Sequence, residues 1–249
     1  MKFSANLGFL WTDLPLPDAI RAANAAGFDA VEFHWPYETP AAEIRAVLDE
    51  TGLPALGVNT IRGDGNGLSA LPGQEDAARA AIDQAVTYAR KIGAGAVHVM
   101  AGFAEGDAAR ATFVANLTYA SEAAPDLTIL IEPLNRHDAP GYFLTTSAQA
   151  RAIIADVGRD NVKLMFDCYH LQIMGGDLTR QLRDCLPDIG HIQFAGVPAR
   201  GRPDEGELAY GHVFAEIRRL GWDVPLGAEY KPGGETGASL GWMGRYRDA

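Results

Sequence analysis

The sequence predicts an α/β chain folded as a single (β/α)8 TIM barrel, one domain spanning residues 1–249. Three observations predict it. Short β-rich runs alternate with longer Ala-rich helical stretches from one end to the other, the pattern of βα units around a parallel sheet. The alternation repeats eight times without a break in composition. The first strand is followed by Gly8-Phe9-Leu10-Trp11-Thr12, an aromatic loop rather than the Gly-rich phosphate loop that an open doubly wound sheet usually carries.

In chain order, strands are expected near Phe3 to Leu7, Ala30 to Phe33, Ala55 to Asn59, Ala96 to Met100, Thr128 to Glu132, Val162 to Asp167, His191 to Phe194 and Leu226 to Glu229. Between them Asp18 to Ala26, Ala41 to Glu50, Glu75 to Ile92, Ala108 to Ala123, Ser147 to Val157, Leu178 to Leu186 and Val213 to Leu220 read as helices. Gly27, Gly52, Gly93 and Gly221 follow helix ends, where a residue without Cβ closes the last turn at no steric cost. The longest connections follow strands three, five and seven, on the barrel face where such folds place their sites.

Four polar residues close four successive strands: Glu132, Asp167, Gln193 and Glu229. Side chains alternate faces along a strand, so if these four point into the barrel, Ile131, Phe166, Ile192 and Ala228 point out toward the helices. Ile129, Leu164 and Leu226 keep the same parity. Three carboxylates and an amide then converge at one end of the barrel, a hard oxygen-rich set suited to Mg²⁺ or Mn²⁺. Without a cation the carboxylates repel one another and raise each other's pKa. Taken one at a time, each residue also fits a solvated strand end or a partner for an internal arginine. A divalent ion so held can grip the adjacent carbonyl and hydroxyl oxygens of an α-hydroxy carbonyl compound while a glutamate moves a proton, which is aldose-ketose type isomerisation.

Composition excludes other classes. The net charge is −11 and the 21 Lys and Arg form no run, which argues against nucleic acid as a partner. No apolar run approaches the roughly 20 residues of a membrane span, and Asp13 interrupts the start before a signal peptide can form, so a cytoplasmic location without membrane contact is expected. Cys168 and Cys185 are too few for a disulfide framework and read as reduced thiols.

Phe3-Ser4-Ala5-Asn6-Leu7, Gly27-Phe28-Asp29-Ala30-Val31-Glu32-Phe33, Leu71-Pro72-Gly73, Ile131-Glu132-Pro133-Leu134-Asn135, Asp167-Cys168-Tyr169-His170, Gly190-His191-Ile192-Gln193 and Glu229-Tyr230-Lys231-Pro232 together resemble the hydroxypyruvate isomerase family of xylose-isomerase-like barrels. Each motif is short, and their order and spacing over nearly the whole chain carry the resemblance. It implies metal ligation by Glu132, Asp167, Gln193 and Glu229, with Glu132 and Glu229 also the proton-transferring pair. Related ketose 3-epimerases usually carry His at the third ligand, so Gln193 implies the hydroxypyruvate or 2-oxo-tetronate branch. The implied reaction interconverts hydroxypyruvate and tartronate semialdehyde. By the same resemblance, His170 contacts a substrate hydroxyl and Arg200 the substrate carboxylate, with Lys231 a second candidate for the latter. Arg202 departs from the pattern, standing where an acidic residue is common.

The expected partner is therefore a small hydroxy-keto acid or a sugar; whether copies associate into a homo-oligomer is left open. His98 and Glu32 share the inward parity and could line the pocket, but read better as barrel-interior groups satisfied by neighbours. Asn6 and Asn59 read equally well as turn caps. Phe9, Trp11, Trp35, Tyr37, Phe103, Tyr142 and Phe143 follow strand ends, suited to a pocket wall, to core packing or to subunit contact. Gly63-Asp64-Gly65-Asn66-Gly67 reads as a flexible lid. The competing functions are a ketose 3-epimerase, a metal-dependent phosphodiesterase and a non-enzymatic carbohydrate-binding protein.

Overall fold

The computed structural model describes residues 1–247. Strands β1 (Phe3–Asn6), β2 (Ala30–Phe33), β3 (Ala55–Asn59), β4 (Ala96–His98), β5 (Thr128–Ile131), β6 (Val162–Asp167), β7 (Ile189–Phe194) and β8 (Leu226–Ala228) pair in parallel in chain order, and β8 returns to β1 to close the barrel. Helices α1 (Leu16–Ala25), α2 (Ala41–Thr51), α3 (Glu75–Ile92), α4 (Gly106–Ala123), α5 (Ser147–Val157), α6 (Cys168–Met174), α7 (Leu178–Cys185), α8 (Tyr210–Arg219) and α9 (Trp242–Arg247) surround it. Gly52 and Gly93 cap α2 and α3 in the left-handed conformation, at φ 71° and 75°.

Every expected strand and helix is present. Two helices escaped the sequence pattern because both are shorter than two full turns of apolar periodicity. Helix α6 starts directly after β6, where the Asp167 carboxylate accepts a hydrogen bond from the Tyr169 backbone N–H at 2.8 Å and caps it. Helix α9 packs back against the outside of β1 and β7. Its Trp242 ring meets Phe3 edge-on at 5.0 Å and Phe194 at 5.4 Å, and its indole N–H donates to the Tyr230 hydroxyl at 3.2 Å. Phe214 of α8 completes this aromatic knot outside β1 and β7. Each such ring contributes roughly 1.5–3 kcal/mol through burial, and its edge-to-face neighbours add to that.

The strand parity read from the sequence holds. Ile129, Ile131, Leu164, Phe166, Ile192, Leu226 and Ala228 lie in the large core between strands and helices. Ala96, Leu130 and Met165 form a separate small cluster inside the barrel. Around that cluster runs an interior cavity of about 200 Å³, lined in part by Gly57, Gly95 and Gly190. Cys168 and Cys185 are buried free thiols. Among the described residues no helix is long and apolar enough to cross a membrane.

Candidate metal centre and active site

At the carboxyl end of the strands Glu132, Asp167, His170 and Glu229 each bring one ligand atom within 4.8 Å of the others, all of them buried. Asp167 and Gln193 pair in register across β6 and β7, so their side chains leave the sheet on the same side. Asp167 Oδ1 is used in capping α6, whereas its Oδ2 has no hydrogen-bond partner. Glu132 Oε1, Gln193 Oε1 and His170 Nε2 are likewise buried and unpartnered. Buried polar atoms are rarely left orphaned. Two unsatisfied carboxylate oxygens, Glu132 Oε1 and Asp167 Oδ2, with the Glu229 carboxylate beside them, fit a hard divalent cation, and Gln193 leaves the sheet on the same side as Asp167.

His170 is the histidine in this group, and its tautomer decides its part. Its Nδ1 accepts from the Asn135 backbone N–H at 3.0 Å and faces the Asn135 side-chain amide at 2.8 Å, both of them donors. The ring proton therefore sits on Nε2, which points at Asp167 Oδ2 (3.6 Å) and Glu132 Oε1 (3.8 Å). A nitrogen carrying its proton donates and does not ligate, so His170 suits a substrate hydroxyl better than a metal. Burial, reinforced by Arg200, holds its pKa down at about 3, so the ring is neutral.

Arg200 reaches into the cluster from the loop after β7. Its guanidinium bonds Glu229, lies 3.6 Å from Asp167 Oδ2, and is sandwiched between the rings of Phe9 (4.6 Å) and Tyr169 (5.0 Å). Its backbone sits at φ +54°, a left-handed conformation that costs a non-glycine residue roughly 1–3 kcal/mol and turns the side chain inward. Arg202 turns away to Asp204 and Glu205 of its own loop. Lys231 lines the mouth but its side chain is exposed; its backbone N–H donates to the Arg200 carbonyl at 2.7 Å.

Three residues near the site were missed or set aside. His34, directly after β2, donates from Nε2 to Glu229 Oε1 at 2.8 Å, and Asn6 donates to the same oxygen at 3.0 Å. His34 lies one residue past the end of β2, whereas the sequence pattern marked only residues that close an expected strand. His98 is a correction: it is buried, but neither ring nitrogen has a hydrogen-bond partner, and Nδ1 stands 3.7 Å from Glu132 Oε2. It faces the site instead of being satisfied by a neighbour. Burial keeps it neutral, with a pKa held down at about 4. Phe9 and Trp35 line the mouth, a cleft of about 500 Å³, whereas Tyr142 and Phe143 pack inside.

Charge divides the two glutamates. Burial and then Glu229 and Asp167 push Glu132 well above the usual carboxylate range. Burial also acts on Glu229, but Arg200 and His34 outweigh it and hold its pKa down at about 2. For Asp167 burial prevails over Arg200, raising it to about 7. A cation that ligates Asp167 and Glu132 must displace the protons they hold, so Mg²⁺ or Mn²⁺ affinity is expected to fall at least about tenfold per pH unit below about 7. The sign for stability follows from the same shifts. Carboxylates raised in the fold bind more protons there than in the unfolded chain, so their contribution is lost as pH rises through their folded pKa. The gap in melting temperature between metal-loaded and metal-free protein should widen from pH 6.5 to 8.5; a constant gap contradicts the assignment.

The chain matches the family model described as xylose isomerase-like TIM barrel over residues 20–246. A 2-oxo-tetronate isomerase from Cupriavidus necator is 46% identical over 98% of both chains. A putative hydroxypyruvate isomerase from Homo sapiens is 43% identical over 100% of this chain and 96% of its own. A crystal structure described as AP endonuclease, family 2 from Brucella melitensis superposes at TM-score 0.94 with 38% identity over 99% of both chains. A D-psicose 3-epimerase crystal structure reaches TM-score 0.80 at 22% identity over 96% of this chain and 89% of its own, which is likeness of fold alone.

Proposed function

The chain belongs to the xylose isomerase-like TIM barrel family, among the hydroxypyruvate and 2-oxo-tetronate isomerases, and from that premise we propose that it is a divalent-metal-dependent isomerase of a short 2-oxo-3-hydroxy acid. The substrate is hydroxypyruvate, interconverted with tartronate semialdehyde, or a four-carbon 2-oxo-tetronate. The carrying observation is the buried Arg200 guanidinium beside Asp167 and Glu229, a fixed positive charge for a substrate carboxylate next to the proposed cation site. A free ketose offers that charge no partner.

Glu132, Asp167, Gln193 and Glu229 would hold the metal. Bound there, Mg²⁺ or Mn²⁺ supplies positive charge to the two adjacent substrate oxygens as negative charge builds on them. The remaining work belongs to side chains. In converting HOCH₂-CO-COO⁻ to OHC-CHOH-COO⁻, one proton leaves carbon and one leaves oxygen at C3, while C2 and its oxygen each gain one. Glu229, ionised, is the base for the C3 proton, and Glu132 carries the proton exchanged at C2; the reverse reaction exchanges the roles. His170 Nε2–H donates to the substrate hydroxyl. Arg200 weakens Glu229 as a base while the two are paired. When the guanidinium turns to the substrate carboxylate that restraint is lifted, so binding itself readies the base. Lys231 stands at the mouth as an outer attraction for the anion.

The test is incubation of purified protein with hydroxypyruvate and Mg²⁺ or Mn²⁺ in D₂O, followed by NMR. Deuterium at C3 and formation of tartronate semialdehyde, both abolished by chelation, are expected. Inert hydroxypyruvate and 2-oxo-tetronate with exchange at C3 of a ketose would transfer the chain to epimerases. Cleavage of an abasic duplex without either would support the phosphodiester reading that the Brucella relative's description invites, which the net charge of −11 disfavours.

A further inference from the structure

Resting on the metal-centre reading above, we propose that Glu32 is a positioning residue that fixes the carboxamide of Gln193 with its oxygen toward the cation, and that Gly227 lacks a side chain to leave room for this contact. Glu32 sits on β2 and is 5% exposed. Its carboxylate crosses the barrel interior to strand β7, where Oε2 accepts from His191 Nε2–H at 2.8 Å and from Gln193 Nε2 at 3.2 Å.

The two ends of a carboxamide are nearly alike in shape and opposite in chemistry. One donates and the other accepts, and only the oxygen can ligate a cation. A carboxylate accepts only, so Glu32 can pair with the NH₂ end alone. Gln193 Oε1 is thereby left buried and unpartnered, on the side chain that stands in register with Asp167. Turning the amide over sets its oxygen against Glu32 Oε2 and points a donor at the cation.

The route of Glu32 across the barrel is kept open by Gly227. A Cβ on that residue would lie 2.2 Å from Glu32 Oε1 and 2.7 Å from Gln193 Cγ. Gly227 is in β8 and is not among the glycines with positive φ, so backbone conformation does not require glycine there. Space does. Glu32 Oε1 has no protein partner and faces the interior cavity of about 200 Å³, which has room for water to satisfy it.

Because His191 and Gln193 both donate to Glu32 Oε2 while Oε1 has no protein partner, the contact is testable by removing the acceptor and by keeping it without the charge. In Glu32→Ala the Gln193 NH₂ loses its partner and the amide is free to turn over. In Glu32→Gln the new amide oxygen takes the place of Oε2 and accepts from both donors, and its NH₂ takes the place of Oε1 toward the cavity. Mn²⁺ affinity of the full chain, read by calorimetry or by the free Mn²⁺ signal in electron paramagnetic resonance, is the measurement.

Glu32→Ala is expected to weaken Mn²⁺ binding about 10- to 100-fold. Glu32→Gln should stay within about threefold of the parent, a rescue by the conservative variant that a role of the negative charge itself would not give. Equal affinity of parent and Glu32→Ala, or a loss in Glu32→Gln as large as in Glu32→Ala, overturns the proposal. If Glu32→Ala does not fold, Glu32→Gln still decides, since it must both fold and bind. A parent chain that takes up no Mn²⁺ fails at the metal-centre reading itself, a result distinct from a parent that binds and a variant that binds equally.

Discussion

Glu132→Gln is expected to cut formation of tartronate semialdehyde by about 10³-fold at saturating metal, while deuterium exchange at C3, which runs through Glu229, continues. The substitution keeps the shape and an oxygen donor while removing the group that gains and loses a proton, and general acid-base catalysis contributes typically 10²–10⁴-fold. Glu132 is the cleaner of the two glutamates to test. Its Oε1 stands 3.8 Å from His170 Nε2 and its Oε2 3.7 Å from His98 Nδ1, both beyond hydrogen-bond distance, so the change breaks no hydrogen bond to either histidine. Glu229 instead accepts from Asn6, His34 and Arg200, and its amide would disturb all three. Single-turnover rates at several Mn²⁺ concentrations separate weaker loading from slower chemistry. Unchanged turnover at saturation removes Glu132 from proton transfer.

Arg200→Ala is expected to act on stability and on substrate choice together. Removing one partner from a buried ionic cluster costs about 3–5 kcal/mol, because the opposite charges remain without compensation. Here the remainder is Glu132, Asp167 and Glu229, all buried. The metal-free variant should therefore lose several kcal/mol in denaturant unfolding, and Mg²⁺ should recover most of it by neutralising the same carboxylates. In kinetics, kcat/KM for hydroxypyruvate should fall about 10²- to 10³-fold, as expected for loss of a buried charge partner. A neutral three-carbon hydroxyketone should lose almost nothing. Arg200→Lys should not restore the parent, because an ammonium cannot fill the slot between Phe9 and Tyr169 or present a planar fork. Equal losses on charged and neutral substrates would reduce Arg200 to a structural counter-charge.

The barrel was legible because its period is simple. Alternation of apolar residues along β5 to β8 placed Glu132, Asp167, Gln193 and Glu229 on one face before any coordinates, and the strands carry them there. Arg200 was legible through resemblance, not pattern: its approach depends on a left-handed backbone at a non-glycine position, which no local rule announces. His34 lay outside the reading because it follows β2, far from the acids in sequence, and only closure of the ring brings it 2.8 Å from Glu229. His98 was read as satisfied because interior histidines usually are. Short α6 and α9 left no periodic trace, the first being set by a cap and the second by one tryptophan. What stayed hidden was tertiary in origin: contacts across the barrel bore and the partner that each polar atom finds.

Barrel closure has a consequence for biosynthesis. Phe3 pairs with Leu226, positions 223 apart, so the sheet stays open on both sides until strand eight has been made. Every shorter nascent chain presents raw strand edges, the surfaces through which such intermediates stick to one another. Glu229, the residue after β8, arrives with the stave that shuts the ring. Shielding of those edges and completion of the acidic cluster are thus one event in the life of the chain, and a ribosome that stalls before it releases a product that is adhesive and lacks the Glu229 carboxylate.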